Sequence, residues 1–249
     1  TPKIAISGVS SVAATNMTST GSANVWTYAY TAPAGNGTDT FAFSVGTDAS
    51  GNTVTAAPTS GATVTVDNTA PTGALTYSAD APYKENATAT VTATFTEALT
   101  TTPKIAISGV SSVAATNMTS TGSANVWTYA YTAPAGNGTD TFAFSVGTDA
   151  SGNTVTAAPT SGATVTVDNT APSLTAVTQV VTPSNDTTPS YVFTTGEAGT
   201  ITTNITEGFS TSSSAATGSN QTITFSTLGA GTYADKTITV TDAAGNASS

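Results

Sequence analysis

The chain contains no cysteine, no histidine and no arginine, and its only cationic side chains are Lys3, Lys84, Lys104 and Lys236. Each absence removes a class of chemistry. Without histidine or cysteine there is no Ser-His-Asp triad and no thiol nucleophile. A serine–lysine pair would need one of the four lysines buried beside a serine, and nothing in the sequence marks such a site. Paired carboxylates of the kind that cleave glycosides remain as a pattern, but the carboxylates here sit at turn positions, which suits solvation or metal binding. The sequence therefore reads as a non-enzyme. Four lysines against 14 acidic residues give a formal charge of −10. No basic patch exists to displace counterions from phosphates, which excludes nucleic acid as a partner and disfavours an anionic membrane surface. No apolar run is long enough to span a bilayer, so no direct membrane insertion is expected of this segment. Lacking disulfides, a secreted chain needs another staple, and with so few cations a divalent metal ion is the natural counter-charge. The start at Thr1-Pro2-Lys3 carries no signal peptide and reads as an interior cut.

What the chain does have is apolar residues at 38% of the total, arranged in alternation, together with abundant threonine. That combination reads as a folded β-protein rather than a disordered one. Residues Thr1 to Pro71 recur, letter for letter, as Thr102 to Pro172. A period of about a hundred residues is too long for a solenoid turn and suits one independently folding domain. Within a period the side chains alternate in and out. Ala87, Ala89, Val91, Ala93 and Phe95 share one face, with Thr88 to Thr96 at even positions on the other. Ile105/Ile107, Trp127/Tyr129/Tyr131, Phe142/Phe144/Val146 and Ala163/Val165/Val167 continue the pattern. Such alternation predicts half-buried antiparallel strands. Turn clusters at Ala81-Pro82, Pro134 to Gly138 and Ser151-Gly152-Asn153 separate them. An opening strand at Leu75 to Tyr77 and a weak one within Val113 to Thr121 bring the number to about seven, the count of an immunoglobulin-like sandwich.

The fold class expected is all-β: tandem immunoglobulin-like antiparallel β-sandwiches, the first and last incomplete. Boundaries fall at Val66 to Pro71 and at its copy, Val167 to Pro172. Residues 1–70 form a unit lacking the two opening strands that Thr72 to Thr101 supply to the complete middle unit, 71–171. That first unit is expected to leave an unpaired edge and an unfilled core. Residues 172–249 form a divergent unit, with alternation at Tyr191/Phe193, Ile201/Ile205, Ile223/Phe225 and Ile238/Val240, that stops before its last strand. The chain is thus expected to begin and end inside domains of a longer array.

Three elements recur: a strand ending Phe95-Thr96-Glu97, an Asp-x-x-Gly-Asn loop, and a closing Val-Asp-Asn-Thr-Ala-Pro. Together they resemble the bacterial immunoglobulin-like repeats of giant RTX-type and biofilm surface adhesins. In the third unit the loop reads Asp242-Ala243-Ala244-Gly245-Asn246, preceded by Leu228 to Tyr233, which resembles a related subtype. The resemblance implies an extender role in a secreted or cell-surface bacterial protein, with neighbouring repeats of the same chain as partners and self-association as a further possibility.

In an antiparallel sandwich, loops alternate between the two poles. Glu97, after the second strand, and Asp149 and Asn153, before the last, are expected at the pole where the linker Asp67-Asn68 arrives. Asp168, Asn169, Glu197, Asp242 and Asn246 repeat the set at the next junction. Ca²⁺ takes six to eight oxygens from carboxylates, amides, carbonyls and water, so these ten residues are the expected metal ligands and Ca²⁺ at the junctions the expected cofactor. The arrangement also resembles calcium binding between cadherin repeats, whose linker reads Asp-Asn-x-x-Pro. The competing reading is that Asp and Asn merely suit tight turns. The spacing is not that of an EF-hand, since Ser50 and Ser151 stand at the third ligand position. Asp80, Glu85 and Asp140 are expected at the opposite pole, near the outgoing linker, either adding ligands or, the favoured reading, keeping the surface soluble. Trp26, Trp127 and their tyrosine neighbours are expected in the core rather than on a carbohydrate-binding platform. The threonine ladders read as ordinary exposed strand faces.

The function expected is a structural extender segment of a large adhesin, a calcium-stiffened string of domains projecting a distal binding region. The alternatives are a subunit of an extracellular filament or surface layer, or carbohydrate-binding accessory domains of a secreted enzyme.

Overall fold

The strands fall where the alternation falls. In the computed structural model, which describes residues 1–249, the first unit carries β1 (Lys3–Ser7), β2 (Ser11–Asn16), β3 (Thr18–Ser19), β4 (Trp26–Thr27), β5 (Gly37–Val45) and β6 (Thr63–Val66). The middle unit carries β7 (Gly73–Tyr77), β8 (Thr88–Phe95), β9 (Lys104–Ser108), β10 (Ser112–Asn117), β11 (Thr119–Ser120), β12 (Val126–Thr132), β13 (Gly138–Val146) and β14 (Thr164–Val167). The third carries β15 (Leu174–Thr178), β16 (Ser190–Thr195), β17 (Gly199–Thr203), β18 (Phe209–Ser210), β19 (Ser214–Ala215), β20 (Gln221–Phe225) and β21 (Ile238–Thr241). The chain is all-β. No helix forms, and so none is long and apolar enough to cross a membrane.

In the middle unit the sheets run β11-β12-β8-β7 and β10-β9-β13-β14, all antiparallel. The inner faces meet in a core of 17 buried side chains that includes Leu75, Val91, Phe95, Ile105, Tyr131, Phe142, Phe144 and Val167. This is the pairing of an immunoglobulin-like sandwich, each strand burying alternate residues. Two details depart from the sequence expectation. The weak strand is really two: β10 belongs to one sheet and β11 to the other, and the buried Met118 marks the corner where the chain changes sheets. Val146 is also exposed, because the β13–β9 register shifts between Phe144 and Val146 and turns it off the inner face. Trp127 is half-buried, pairs with Ala93 across the ladder and packs against the core edge.

The first unit keeps one full sheet, β2-β1-β5-β6, and only the pair β3-β4 of the other. Nothing in it corresponds to β7 and β8. The third unit has sheets β15-β16-β20-β18 and β19-β17-β21, with no strand beyond β21. Its core is correspondingly small, five buried residues around Phe193, Ile223 and Val240. A cleft of about 980 Å³ lined by Leu174, Tyr191, Phe193, Ile223 and Ile238 opens beside them.

Candidate metal centre

Each junction is assembled from three segments remote in sequence. Asp67 follows the last residue of β6, Glu97 lies two residues beyond β8, and Asp149 opens the loop after β13. Antiparallel alternation sends all three strand ends to one pole. One carboxylate oxygen from each of Asp67, Glu97 and Asp149 lies within 4.8 Å of the others, and the same holds for Asp168, Glu197 and Asp242. Oxygens on opposite sides of a Ca²⁺ ion stand about 4.6–5.2 Å apart, twice the metal–oxygen distance. The spacing therefore fits three carboxylates around one ion.

The loops that carry the aspartates are built from their own hydrogen bonds. Asp149 Oδ1 accepts from the backbone N–H of Ser151 (2.8 Å) and Asn153 (2.9 Å), and Oδ2 accepts from Asn153 Nδ2 (2.9 Å). Asp48, in the first unit's copy of the loop, accepts the same three bonds without a junction beside it. The loop thus forms by its own turn chemistry, and what the junction adds is a contact to the linker. Asn153 Nδ2 donates to the carbonyl oxygen of Asp67 at 3.0 Å. At the second junction Asn246 Nδ2 donates to the carbonyl of Asp168 and to Asp242 Oδ2, both at 2.9 Å.

Six of the ten expected residues, the carboxylates, are brought together in two clusters. Asn153 and Asn246 stand beside them as clamps between loop and linker. Asn68 and Asn169, expected among the ligands, turn elsewhere. Asn68 Nδ2 donates to the carbonyls of Pro33 and Gly35, and its N–H donates to Asn36 Oδ1 at 2.6 Å. Asn169 does the same with Pro134, Gly136 and Asn137. A glycine-rich loop whose carbonyls lie open beside the strand end satisfies these amides locally, so they fix the direction in which the linker leaves its unit. Asn36 and Asn137 were not singled out from sequence. Their repetition in both copies within Gly-Asn-Gly was the available signal. Lys84 was also missed as a junction residue: its Nζ donates to the carbonyl of Gly245, 3.0 Å away in the third unit.

The electrostatics are those of like charges held together. Burial raises the Glu97 carboxyl above its ordinary value, and the charges of Asp67 and Asp149 raise it further. Glu197 is raised by burial and by Asp168 and Asp242. At Asp149 burial also opposes ionisation, but the donors from Asn153, Ser151 and Gly152 together outweigh it and hold the carboxyl below its usual value. No lysine answers these carboxylates, since the one ion pair in the chain joins Lys236 to Glu207 at 2.7 Å. The clusters are therefore oxygen-rich, net negative and uncompensated by protein, an arrangement that can bind a metal ion.

Asp140 belongs to no site of this kind. Expected on the surface of the opposite pole, it is instead fully buried. Oδ1 accepts from Ser111 N–H at 2.6 Å, while Oδ2 accepts from the Ser111 hydroxyl and from Tyr131 Oη at 2.8 Å. Asp80 and Glu85 are exposed, and the Glu85 backbone N–H donates to Asn169 Oδ1.

No protein-family model matches the sequence, and a search of curated proteins finds no match.

Proposed function

We propose that the chain is a structural extender segment of a bacterial cell-surface adhesin, a string of immunoglobulin-like units whose junctions are stiffened by Ca²⁺. The observation that carries this reading is the recurrence of one three-carboxylate cluster at two junctions, the second built partly from a unit of different sequence. A turn preference alone explains the Asp-x-x-Gly-Asn loop, as Asp48 demonstrates, but it does not explain why a linker aspartate and a glutamate converge on it twice. Calcium is favoured among metals because the donors are all hard oxygens and the chain has no imidazole or thiolate to select zinc or copper. Each cluster supplies carboxylate oxygens from both neighbouring units, so an ion bound there ties one unit to the next. Backbone carbonyls and water complete the shell. The ion is a clamp with no chemical step to perform, and the units act as spacers. Trp127, Tyr129 and Tyr131 lie against the core rather than in an exposed row, which counts against a carbohydrate platform.

Calorimetric titration with Ca²⁺ tests the reading. Two occupied junctions are expected, with affinities in the range of extracellular modules, about 10⁻⁴–10⁻³ M. Glu97→Gln should remove the heat of the first junction and leave that of the second. Absence of binding at millimolar Ca²⁺, or an E97Q titration indistinguishable from wild type, contradicts it.

A further inference from the structure

Lys84 is one of only four cationic side chains, and it binds a carbonyl of the neighbouring unit instead of a carboxylate. Its backbone has little freedom. Tyr83, beside it, is buried and bridges to Val167. The Tyr83 N–H donates to Thr166 O and the Asp168 N–H donates to Tyr83 O, both at 2.9 Å, which pins the segment to the end of β14. On its other side the Glu85 N–H donates to Asn169 Oδ1, and the Ala87 N–H closes a turn onto Lys84 O at 3.0 Å. Lys84 is therefore rooted in the middle unit, next to the point where the linker leaves it.

What it reaches is the Asp242 to Asn246 loop of the third unit. Lys84 Nζ donates to Gly245 O at 3.0 Å. Gly245 has a φ of 89°, which favours glycine and leaves its Cα without a side chain. A Cβ built there would stand 3.5 Å from Lys84 Nζ, 3.8 Å from Cε and 3.9 Å from Cδ. The lysine stem thus lies across the glycine while the ammonium bonds its carbonyl. The loop does not need this contact in order to form. The Asp48 and Asp149 loops hold the same asparagine-to-aspartate hydrogen bonds as the Asp242 loop, yet a Cβ on Gly51 or Gly152 would meet nothing within 4 Å. Nor does the lysine fill the acidic cluster. Lys84 forms no ion pair, so Asp168, Glu197 and Asp242 keep their oxygens for a metal.

Asn246 Nδ2 also crosses this junction, donating to Asp168 O at 2.9 Å. That contact sits on the linker itself, and a unit held only at its linker is free to turn about it. Lys84 supplies a second attachment from a different segment. We propose that Lys84 is a positioning residue of the second junction, holding the 242–246 loop against the middle unit so that Asp242 faces Asp168 and Glu197 before an ion arrives. The role rests on the reading of that cluster as a metal site. Preorganisation acts on affinity through the fraction of molecules in which the site is already assembled. A lysine that merely stood near the cluster would act the other way, repelling a divalent cation, and its removal would tighten binding. The two roles differ in sign.

Residual dipolar couplings and a Ca²⁺ titration, both followed by NMR on the full chain, test this. In chelator, wild type should keep more order between the middle and third units than Lys84→Met, which retains a stem but loses the donor. Lys84→Arg, which keeps the charge and the N–H donors, should restore that order. On titration, Lys84→Met should bind Ca²⁺ about threefold more weakly at the second junction, as follows if the assembled fraction falls to about a third. The Gly245 and Asn246 amides report that junction, and those of Gly152 and Asn153 should show the first junction unchanged. A wild type that ignores Ca²⁺ sinks the metal reading alone, because inter-unit order in chelator still reports on Lys84. Equal inter-unit order in wild type and Lys84→Met, or tighter Ca²⁺ binding by Lys84→Met, overturns the proposal.

Discussion

Asp140 has no accessible surface and receives hydrogen bonds from the Ser111 backbone, the Ser111 hydroxyl and Tyr131. A carboxylate so placed ties three strands' worth of chain together at a point where an unpaired charge would be costly. Its inward position was legible in the alternation: Gly138, Asp140, Phe142 and Phe144 share one parity, and the aromatic pair fixes which face that is. The turn-forming reputation of aspartate hid this. Asn68 and Asn169 show the opposite limit, because an amide beside a linker reads equally well as a ligand or as a lock, and only the position of the Pro33 and Gly35 carbonyls, and of their copies Pro134 and Gly136, decides. The two copies also allow a comparison at single residues. Phe142→Ala empties a site sealed by Tyr77 and Tyr131 and should cost about 3–5 kcal/mol. The identical change Phe41→Ala should cost under about 2 kcal/mol, because that ring is already partly in water. Native-state hydrogen exchange at the Ile107 and Ile6 amides measures both. Equal costs would mean that the first unit's face is covered in solution.

At the scale of elements, the strands with clean alternation were readable and the irregular ones were not. Met118 turns between two short threonine-rich strands whose sequence shows no period. The slip at Val146 depends on how many residues β9 offers its partner, a property of the pair and not of either strand. The junction is likewise a property of three strand ends. Its pH response follows from the shifted carboxyls. Glu97 has a folded value above its unfolded value of about 4.3. In the absence of metal, the stability this group allows is fully present below about pH 4.3 and is lost as pH rises through the folded value. Asp149 is shifted the other way, so its contribution to the loop is present above about pH 3.9 and is lost as pH falls through its folded value. With chelator present, the protection factor of the linker amide of Thr69, its exchange rate corrected for the intrinsic pH dependence of amide exchange, should therefore be highest in mild acid and fall towards pH 7. With Ca²⁺ the trend should reverse, since protons then compete with the ion. In Glu97→Gln the chelated protein should protect Thr69 as strongly at pH 7 as wild type does in mild acid. A Thr69 protection factor that does not change with pH in chelator would refute the repulsion between these carboxylates.

For the molecule as a whole, the internal repeat carried most of the architecture, because an identical sequence given different neighbours still builds the same sheet. The sequence did not convey how far the first unit holds together without β7 and β8. It retains Ile4 and Ile6 buried on a full sheet and the Tyr30–Asp39 hydrogen bond, while its valines open to water. Like charges converge at the junctions between units, where Ca²⁺ is proposed to hold them. Small-angle scattering of the full chain in millimolar Ca²⁺ and then in excess chelator tests it most directly. A longer, stiffer particle is expected with Ca²⁺ and a shorter, flexible one in chelator. Asp149→Ala should soften the first junction while the second, built on Asp168, Glu197 and Asp242, stays firm. A maximum dimension and flexibility unchanged by chelator would contradict it.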